Sequence, residues 1–260
     1  MKIQIARDAR PQVRALLLAA GLSVALWFIP FAWVLTYPFQ LFVTFIHEGG
    51  HALAAVLTGN SVRGLSVSLD TSGLTETLVA PGGFFSRFFI SSAGYLGAMA
   101  FGALLLWLVR RRVKSSVVLY GAAAIITGLT VVFGFLVPLT NFSFSPFTIL
   151  SGALITAGLV AAARFLSRPA ASFLVSFLAV QCVLNAIFNL RDLAVLSLGT
   201  GAHTDAGNMQ AATGIPAIFW ALMWAAVAFV ILSLALRAYS VAREKPSQPD
   251  LPFEDSPLEV

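Results

Sequence analysis

The chain has 260 residues, of which 58% are hydrophobic and 10% are charged, with a mean hydropathy of +0.89. Soluble domains usually contain about a quarter charged residues, so the composition argues against a soluble protein and favours one polytopic membrane bundle. The net charge of +5 does not indicate a nucleic-acid partner, because the basic residues cluster at the ends of apolar runs. The single cysteine, Cys182, excludes an intrachain disulfide and a cysteine-based metal cluster.

Apolar segments long enough to cross a bilayer, about 20 residues each, recur along the chain. We predict seven, at residues 15–36, 40–58, 88–109, 116–137, 147–165, 172–193 and 215–236, the first closed by Tyr37-Pro38. The predicted fold class is an all-α polytopic membrane protein, a bundle of six to seven transmembrane helices. Residues 1–243 are predicted to form a single membrane-embedded domain. The tail 244–260, rich in proline and acidic residues, is expected to be disordered.

The second segment contains an H-E-x-x-H motif, His47-Glu48-Gly49-Gly50-His51, inside an uncharged apolar run. Residues four apart share one face of a helix, so the imidazoles of His47 and His51 can bind a single Zn²⁺. Glu48 can then act as the general base that takes a proton from water. The alternative is a pair of hydrogen-bonded core histidines, or a chance match. Ionisable residues at membrane depth are costly, which favours the metal site.

Residues 61–80 interrupt the apolar character of the chain. The alternation of Leu65, Val67 and Leu69 precedes a turn-like sequence at residues 70–73, which predicts a small β-hairpin directly after the motif helix. This hairpin is either a plain connector at the membrane surface or a strand that pairs with an extended substrate.

Two histidines do not complete a catalytic zinc site, which usually has three protein ligands and a water. A polar stripe in the sixth segment shares one helical face and consists of Gln181, Asn185, Asn189 and Asp192. Such a stripe faces either a functional site or polar partners on neighbouring helices. The second and sixth segments run in the same direction with their polar residues in the second half, so Asp192 is expected at the depth of the histidines. Adjacent Arg191 can instead neutralise its charge.

Asp205 is the other candidate for the third ligand. Thr204 or Asp205 can cap a short helix running to Ala212, a structural role that needs no metal. His203 is the only further histidine and is the remaining possibility.

These features resemble a known family. An H-E-x-x-H motif on a membrane helix, then a hairpin, then the sequence AGYLG at residues 93–97 are similar to the site-2 protease class of intramembrane zinc metalloproteases, the M50 peptidases. The compact bacterial M50B-like branch is the most similar. Its members add an asparagine and a later aspartate from a distant helix. Asn189-Leu190 resembles the first element and Asp205-Ala206-Gly207 the second, with alanine where glycine is commoner and a long insert between the two.

The resemblance implies that His47, His51 and Asp205 hold Zn²⁺, with Glu48 as the base and Asn189 donating a hydrogen bond to the substrate or the oxyanion. It implies an integral, multi-pass protein of the bacterial cell membrane. The substrates would be transmembrane segments of other membrane proteins, met within the lipid bilayer. Asp192 stays the alternative third ligand, because it is expected at the same membrane depth as the histidines.

Two other functions use the same residues. A proton- or ion-coupled membrane carrier can use His47, Glu48, His51 and Asp192 as an ion relay, although no internal repeat of the kind common in carriers is evident. A zinc-binding but proteolytically inactive homologue would share every residue of the proposed site.

Overall fold

The computed structural model describes residues 10–80, 83–140, 142–196 and 204–240, and His203 and the tail 244–260 lie outside them. Within those ranges the chain is a helical bundle with one antiparallel hairpin, which confirms the predicted fold class. The elements are α1 (Arg10–Trp27), α2 (Trp33–Leu57), β1 (Ser61–Val67), β2 (Gly73–Leu78), α3 (Phe84–Arg110), α4 (Ser115–Gly128), a π-helical segment (Leu129–Leu136), α5 (Val137–Leu139), α6 (Pro146–Phe165), α7 (Arg168–Leu196), α8 (Asp205–Thr213) and α9 (Ala217–Ser240).

Five stretches of the described chain are long and apolar enough to cross a membrane: Phe84–Arg110, Ser115–Leu139, Pro146–Phe165, Arg168–Leu196 and Ala217–Ala238. They correspond to the last five of the seven predicted segments. The first segment corresponds to a shorter apolar helix, Val13–Leu26. The second corresponds to α2, which has 25 residues and carries the polar motif. Large side chains such as Phe229 and Leu154 are exposed on the bundle surface, as contact with lipid requires.

The predicted end of the first segment is wrong. We expected the break at Tyr37-Pro38, but α1 ends at Trp27 and α2 already begins at Trp33. Pro30 lies in the connecting turn, where Phe31 adopts a left-handed conformation with φ 63°. Pro38 is accommodated inside α2. Pro38 is the sixth residue of α2 and removes one intrahelical hydrogen bond without ending the helix, whereas the left-handed Phe31 that follows Pro30 interrupts the helical path.

Helix α3 occupies the centre of the bundle and packs against α2, α7 and α9. Glycine makes the contact between α2 and α3 close: a Cβ at Gly50 would collide with the carbonyl oxygen of Ala93, and Gly97 lies opposite Gly50. Small residues of this kind let membrane helices approach backbone to backbone. The second half of the motif helix is therefore held directly on α3.

The predicted hairpin and its turn are confirmed. Strands β1 and β2 pair antiparallel, with one extra residue, Arg63, on β1 between Val62 and Gly64. In the turn, the Asp70 carboxylate accepts hydrogen bonds from the backbone N–H of Ser72 at 3.0 Å and from its hydroxyl at 2.6 Å. These bonds hold the pKa of the exposed Asp70 carboxyl below its usual value.

Three hydrogen bonds fix the hairpin against the helices. The Tyr37 hydroxyl donates to the carbonyl of Leu69 at 2.7 Å, and the Thr44 hydroxyl donates to the carbonyl of Thr71 at 2.7 Å. Tyr37 and Thr44 are two helical turns apart and share one face of α2. The hydroxyl of Thr148 on α6 accepts from the backbone N–H of β1 at residue 67, at 2.8 Å. The hairpin consequently lies along α2 and over the H-E-x-x-H motif.

Candidate metal centre

The two motif histidines share the face of α2 that meets α3. Their Nε2 atoms are 3.2 Å apart. The Nδ1 atom of His51 lies 2.6 Å from the carbonyl oxygen of Ile90. A carbonyl only accepts hydrogen bonds, so Nδ1 carries the proton and Nε2 keeps a free lone pair for a metal.

Asp205 is the first residue of α8, and its carboxylate faces the two histidines. Its Oδ2 lies 3.4 Å from Nε2 of His51 and 4.0 Å from Nε2 of His47. The neighbouring Thr204 is the N-cap, because its hydroxyl accepts from the backbone N–H of Gly207 at 3.1 Å. The sequence left open whether Thr204 or Asp205 caps α8, and the structure shows that Thr204 does. The Asp205 carboxylate instead faces the two histidines.

The donor set fits a zinc ion. His47, His51 and Asp205 form a group whose ligand atoms all lie within 4.8 Å of one another. Ligands roughly 2.0–2.1 Å from Zn²⁺ at tetrahedral angles lie about 3.3 Å apart, close to the spacings seen here. Two imidazoles and one carboxylate are also the ligand types of many catalytic zinc sites.

Gly94 keeps the space between the two histidines open. A Cβ at this position would collide with the Nε2 atoms of both His47 and His51. The α3 backbone therefore approaches the two ligand atoms more closely than any residue with a side chain permits. This is the one position of the AGYLG sequence at which a glycine is required by contact with the site.

Glu48 is buried beside the candidate metal-binding group and is held by the hairpin. The Thr75 hydroxyl lies 2.8 Å from Oε2 of Glu48 and 3.0 Å from its backbone carbonyl oxygen. Gly73 packs against the same side chain, and a Cβ there would come within 2.6 Å of Oε1. Strand β2 therefore fixes the orientation of the carboxylate, because Thr75 engages Oε2 and Gly73 lies against Oε1.

The polar stripe of α7 faces a cavity of about 530 Å³ that reaches the motif. This α7 cavity is lined by Gln181, Asn185, Asn189 and Asp192, and by His47, Glu48, Gly73 and Tyr95 among others. Gln181 also donates to the Ser23 hydroxyl of α1 at 3.2 Å, the interhelical bond expected as the alternative for this stripe. Asn189 is brought to the cavity of the motif, and Asp192 is not among the three grouped metal-binding side chains.

A second cavity, of about 810 Å³, lies on the other side of the motif between β2, α3 and α8. This β2 cavity is lined by His47, Glu48, His51, Gly73, Thr75, Thr77, Ser91, Tyr95, Asp205 and Asn208 among others. It extends from the edge of β2 that does not pair with β1 to the candidate metal-binding group, and its volume suffices for a peptide segment.

Sequence reasoning did not assign functional roles to Thr75, Gly94 and Tyr95. Thr75 gave no signal, because its contact with Glu48 depends on how the hairpin folds back over α2. Gly94 and Tyr95 belong to the AGYLG sequence, which supported the family resemblance without a role for either residue. The tyrosine ring lies edge-on to His47, with centroids 4.7 Å apart.

A helical membrane bundle with an H-E-x-x-H motif beside an aspartate carboxylate defines a class, the membrane-embedded metallopeptidases. The family model described as Peptidase M50B-like matches residues 15–235, and the chain belongs to that family. Searches of curated proteins and of solved structures found no match. Family membership and the five apolar helices together make it an integral multi-pass membrane protein of a metalloprotease family.

Proposed function

We propose that this protein is an intramembrane zinc metallopeptidase that hydrolyses peptide bonds in or near transmembrane segments of other membrane proteins. The observation that carries the proposal is the convergence of His47, His51 and Asp205 on one point, with Glu48 held alongside. The proposed ligands come from α2 and α8, so the site exists only in the folded bundle.

With His47, His51 and Asp205 as its ligands, Zn²⁺ would polarise the scissile carbonyl and lower the pKa of water to about 7. Glu48 accepts the proton of the attacking water as the oxygen–carbon bond forms. It then delivers this proton to the amide nitrogen as the carbon–nitrogen bond breaks, leaving a carboxylate and an amine. Thr75 keeps the Glu48 carboxylate aimed at the site throughout.

The hairpin offers an edge for an extended substrate. The N–H of Val67 donates to Thr148 and its carbonyl accepts from the same hydroxyl, so the backbone of Val67 points away from β2. Val67 pairs with Gly73, and hydrogen-bonding direction alternates along a strand, so Gly73, Thr75 and Thr77 direct their backbone groups to the outer edge of β2. That edge borders the β2 cavity. A locally unwound substrate can add there as a third strand across the site.

Asn189 would contact the substrate from the opposite side. It lines the α7 cavity together with His47 and Glu48, and its side-chain amide can donate to a substrate carbonyl or to the oxyanion. In this arrangement the substrate passes between β2 and α7, with the scissile bond at the motif.

The test is Glu48→Gln in protein reconstituted in liposomes with a set of single-pass transmembrane peptides, with cleavage read by mass spectrometry. Removing the proton acceptor should lower turnover by roughly 10²–10⁴-fold. Zinc per chain should stay at the wild-type level, because Glu48 is not a ligand. Glu76→Gln, at an exposed position of the same hairpin, is the matched control and should change neither quantity.

Each contrary result has a definite meaning. Zinc loss in Glu48→Gln would contradict the assignment of Glu48 as the base. A wild-type protein that binds zinc but cleaves nothing would be the inactive homologue. A wild-type protein that neither binds zinc nor cleaves would favour the carrier, in which His47, Glu48, His51 and Asp192 relay ions.

A further inference from the structure

The junction of the two cavities singles out one more side chain. Of the lining residues, His47, Glu48, Gly73 and Tyr95 border both the α7 cavity and the β2 cavity. A substrate that passes from one cavity to the other places its scissile bond at this junction. His47 and Glu48 already have roles there and Gly73 has no side chain, which leaves the phenol of Tyr95.

The ring of Tyr95 is fixed from two sides. It meets His47 edge-on, with an interplanar angle of 85°, and it stacks on Trp224 with centroids 5.8 Å apart and an angle of 23°. Trp224 is fully buried and donates from Nε1 to the Ser92 hydroxyl at 2.8 Å. Among the residues that the structure describes, we find no hydrogen-bond partner for the Tyr95 hydroxyl. A rigid ring with an unused donor beside the reacting bond is preorganised for catalysis.

We infer that Tyr95 is a catalytic residue whose hydroxyl donates a hydrogen bond to the scissile carbonyl oxygen as that oxygen becomes an oxyanion. When water adds to the carbonyl carbon, the π electron pair of the carbonyl moves onto this oxygen. The phenol keeps its proton and stabilises the negative charge until the carbon–nitrogen bond breaks. Asn189 borders only the α7 cavity of the two, so its amide acts on the substrate chain beside the scissile bond.

The inference rests on the proposed function, and Tyr95→Phe tests it because the variant keeps the ring and removes only the hydroxyl. Loss of one oxyanion donor should lower kcat by roughly 10²–10³-fold. KM and zinc content should stay unchanged. The affinity for a phosphinic pseudodipeptide, whose tetrahedral oxyanion mimics the transition state, should fall by a similar factor. Tyr120→Phe, at a half-exposed position of α4, is the control and should change none of these quantities.

The phosphinate measurement separates this inference from the proposed function, since it needs only zinc-loaded protein and no turnover. If wild type binds the phosphinate and Tyr95→Phe binds it less tightly, the hydroxyl is the oxyanion donor whether or not cleavage is found. Equal affinity in the two proteins, no binding by zinc-loaded wild type, or zinc loss in Tyr95→Phe would each overturn the inference. In the last case the tyrosine would only support His47.

Discussion

At the scale of single residues, two adjacent side chains at the start of α8 have different roles. Thr204 satisfies the helix N-terminus, and Asp205 then turns its carboxylate to His47 and His51. Because helix N-termini attract negative charge, an acidic side chain is favoured at the start of α8. The hypothesis of Asp205 as the third ligand therefore has a local cause in the capping pattern.

A pair of isosteric substitutions distinguishes the two candidates for the third ligand, Asp205 and Asp192. Asp205→Asn should remove the carboxylate that serves as the third ligand, so zinc per chain should fall and cleavage should be abolished. Asp192→Asn should leave zinc bound, because Asp192 lines the α7 cavity outside the metal-binding group. Metal analysis of both purified proteins decides the matter. The reverse pattern would make Asp192 the ligand, and no change in either would turn attention to His203.

Gly94 gives a second prediction at this scale. Gly94→Ala should abolish zinc binding, because the added methyl group would occupy the space of the two Nε2 atoms. Gly121→Ala is the control, since nothing lies within 4 Å of a Cβ at that position and the helix should gain about 1 kcal/mol. Both proteins should remain monodisperse in detergent. Wild-type zinc content in Gly94→Ala would show that the ion is not held between these histidines.

At the scale of elements, the free edge of β2 can be blocked without unfolding the hairpin. Thr77→Pro removes an N–H that points to the β2 cavity, so hairpin pairing should survive while kcat/KM for transmembrane peptides falls by up to about tenfold, the value of one hydrogen bond. Glu76→Pro removes an N–H that faces β1 and should lower the thermal unfolding midpoint. Thr77→Ala keeps the N–H and should cleave normally. Full activity of Thr77→Pro would exclude strand addition at this residue.

The elements also show what the sequence could and could not reveal. Apolar length located the helices, and alternation with a turn sequence located the hairpin, because both depend on local pattern. We predicted the break between the first two helices at Pro38, but it lies at Pro30. The local sequence does not reveal which of two nearby prolines a helix can accommodate. The π-helical segment was also not predicted. Its first residue, Leu129, packs directly against Gly49 of the motif. Such features depend on packing between distant segments, which periodicity does not record.

The candidate site divides in the same way. The spacing of His47 and His51 indicated a metal pair, because helical geometry alone brings residues four apart together. Choosing between Asp192 and Asp205 required the position of α8 relative to α2, which no local pattern contains. The contact of Thr75 with Glu48 likewise arises only when the hairpin folds onto its own preceding helix.

At the scale of the whole molecule, the orientation in the membrane is predicted by the N-terminal charges. With seven crossings, seven basic residues fall on the side of the N-terminus and nine on the other, so the total does not decide. The first helix usually dominates insertion, and four basic residues, Lys2, Arg7, Arg10 and Arg14, precede most of it. We therefore predict that the N-terminus and the hairpin lie on the cytoplasmic side, which agrees with the family resemblance.

Helix α3 supplies the test, because it is long and apolar enough to span and it separates the hairpin from the following loop. Glu76→Cys and Lys114→Cys place a thiol at an exposed position on either side of it. A membrane-impermeant thiol reagent on intact cells should label only Lys114→Cys. Cys182 is fully buried, so the unmodified protein serves as the blank. Labelling of Glu76→Cys alone would invert the predicted orientation, and equal labelling of both would show that α3 does not cross the membrane.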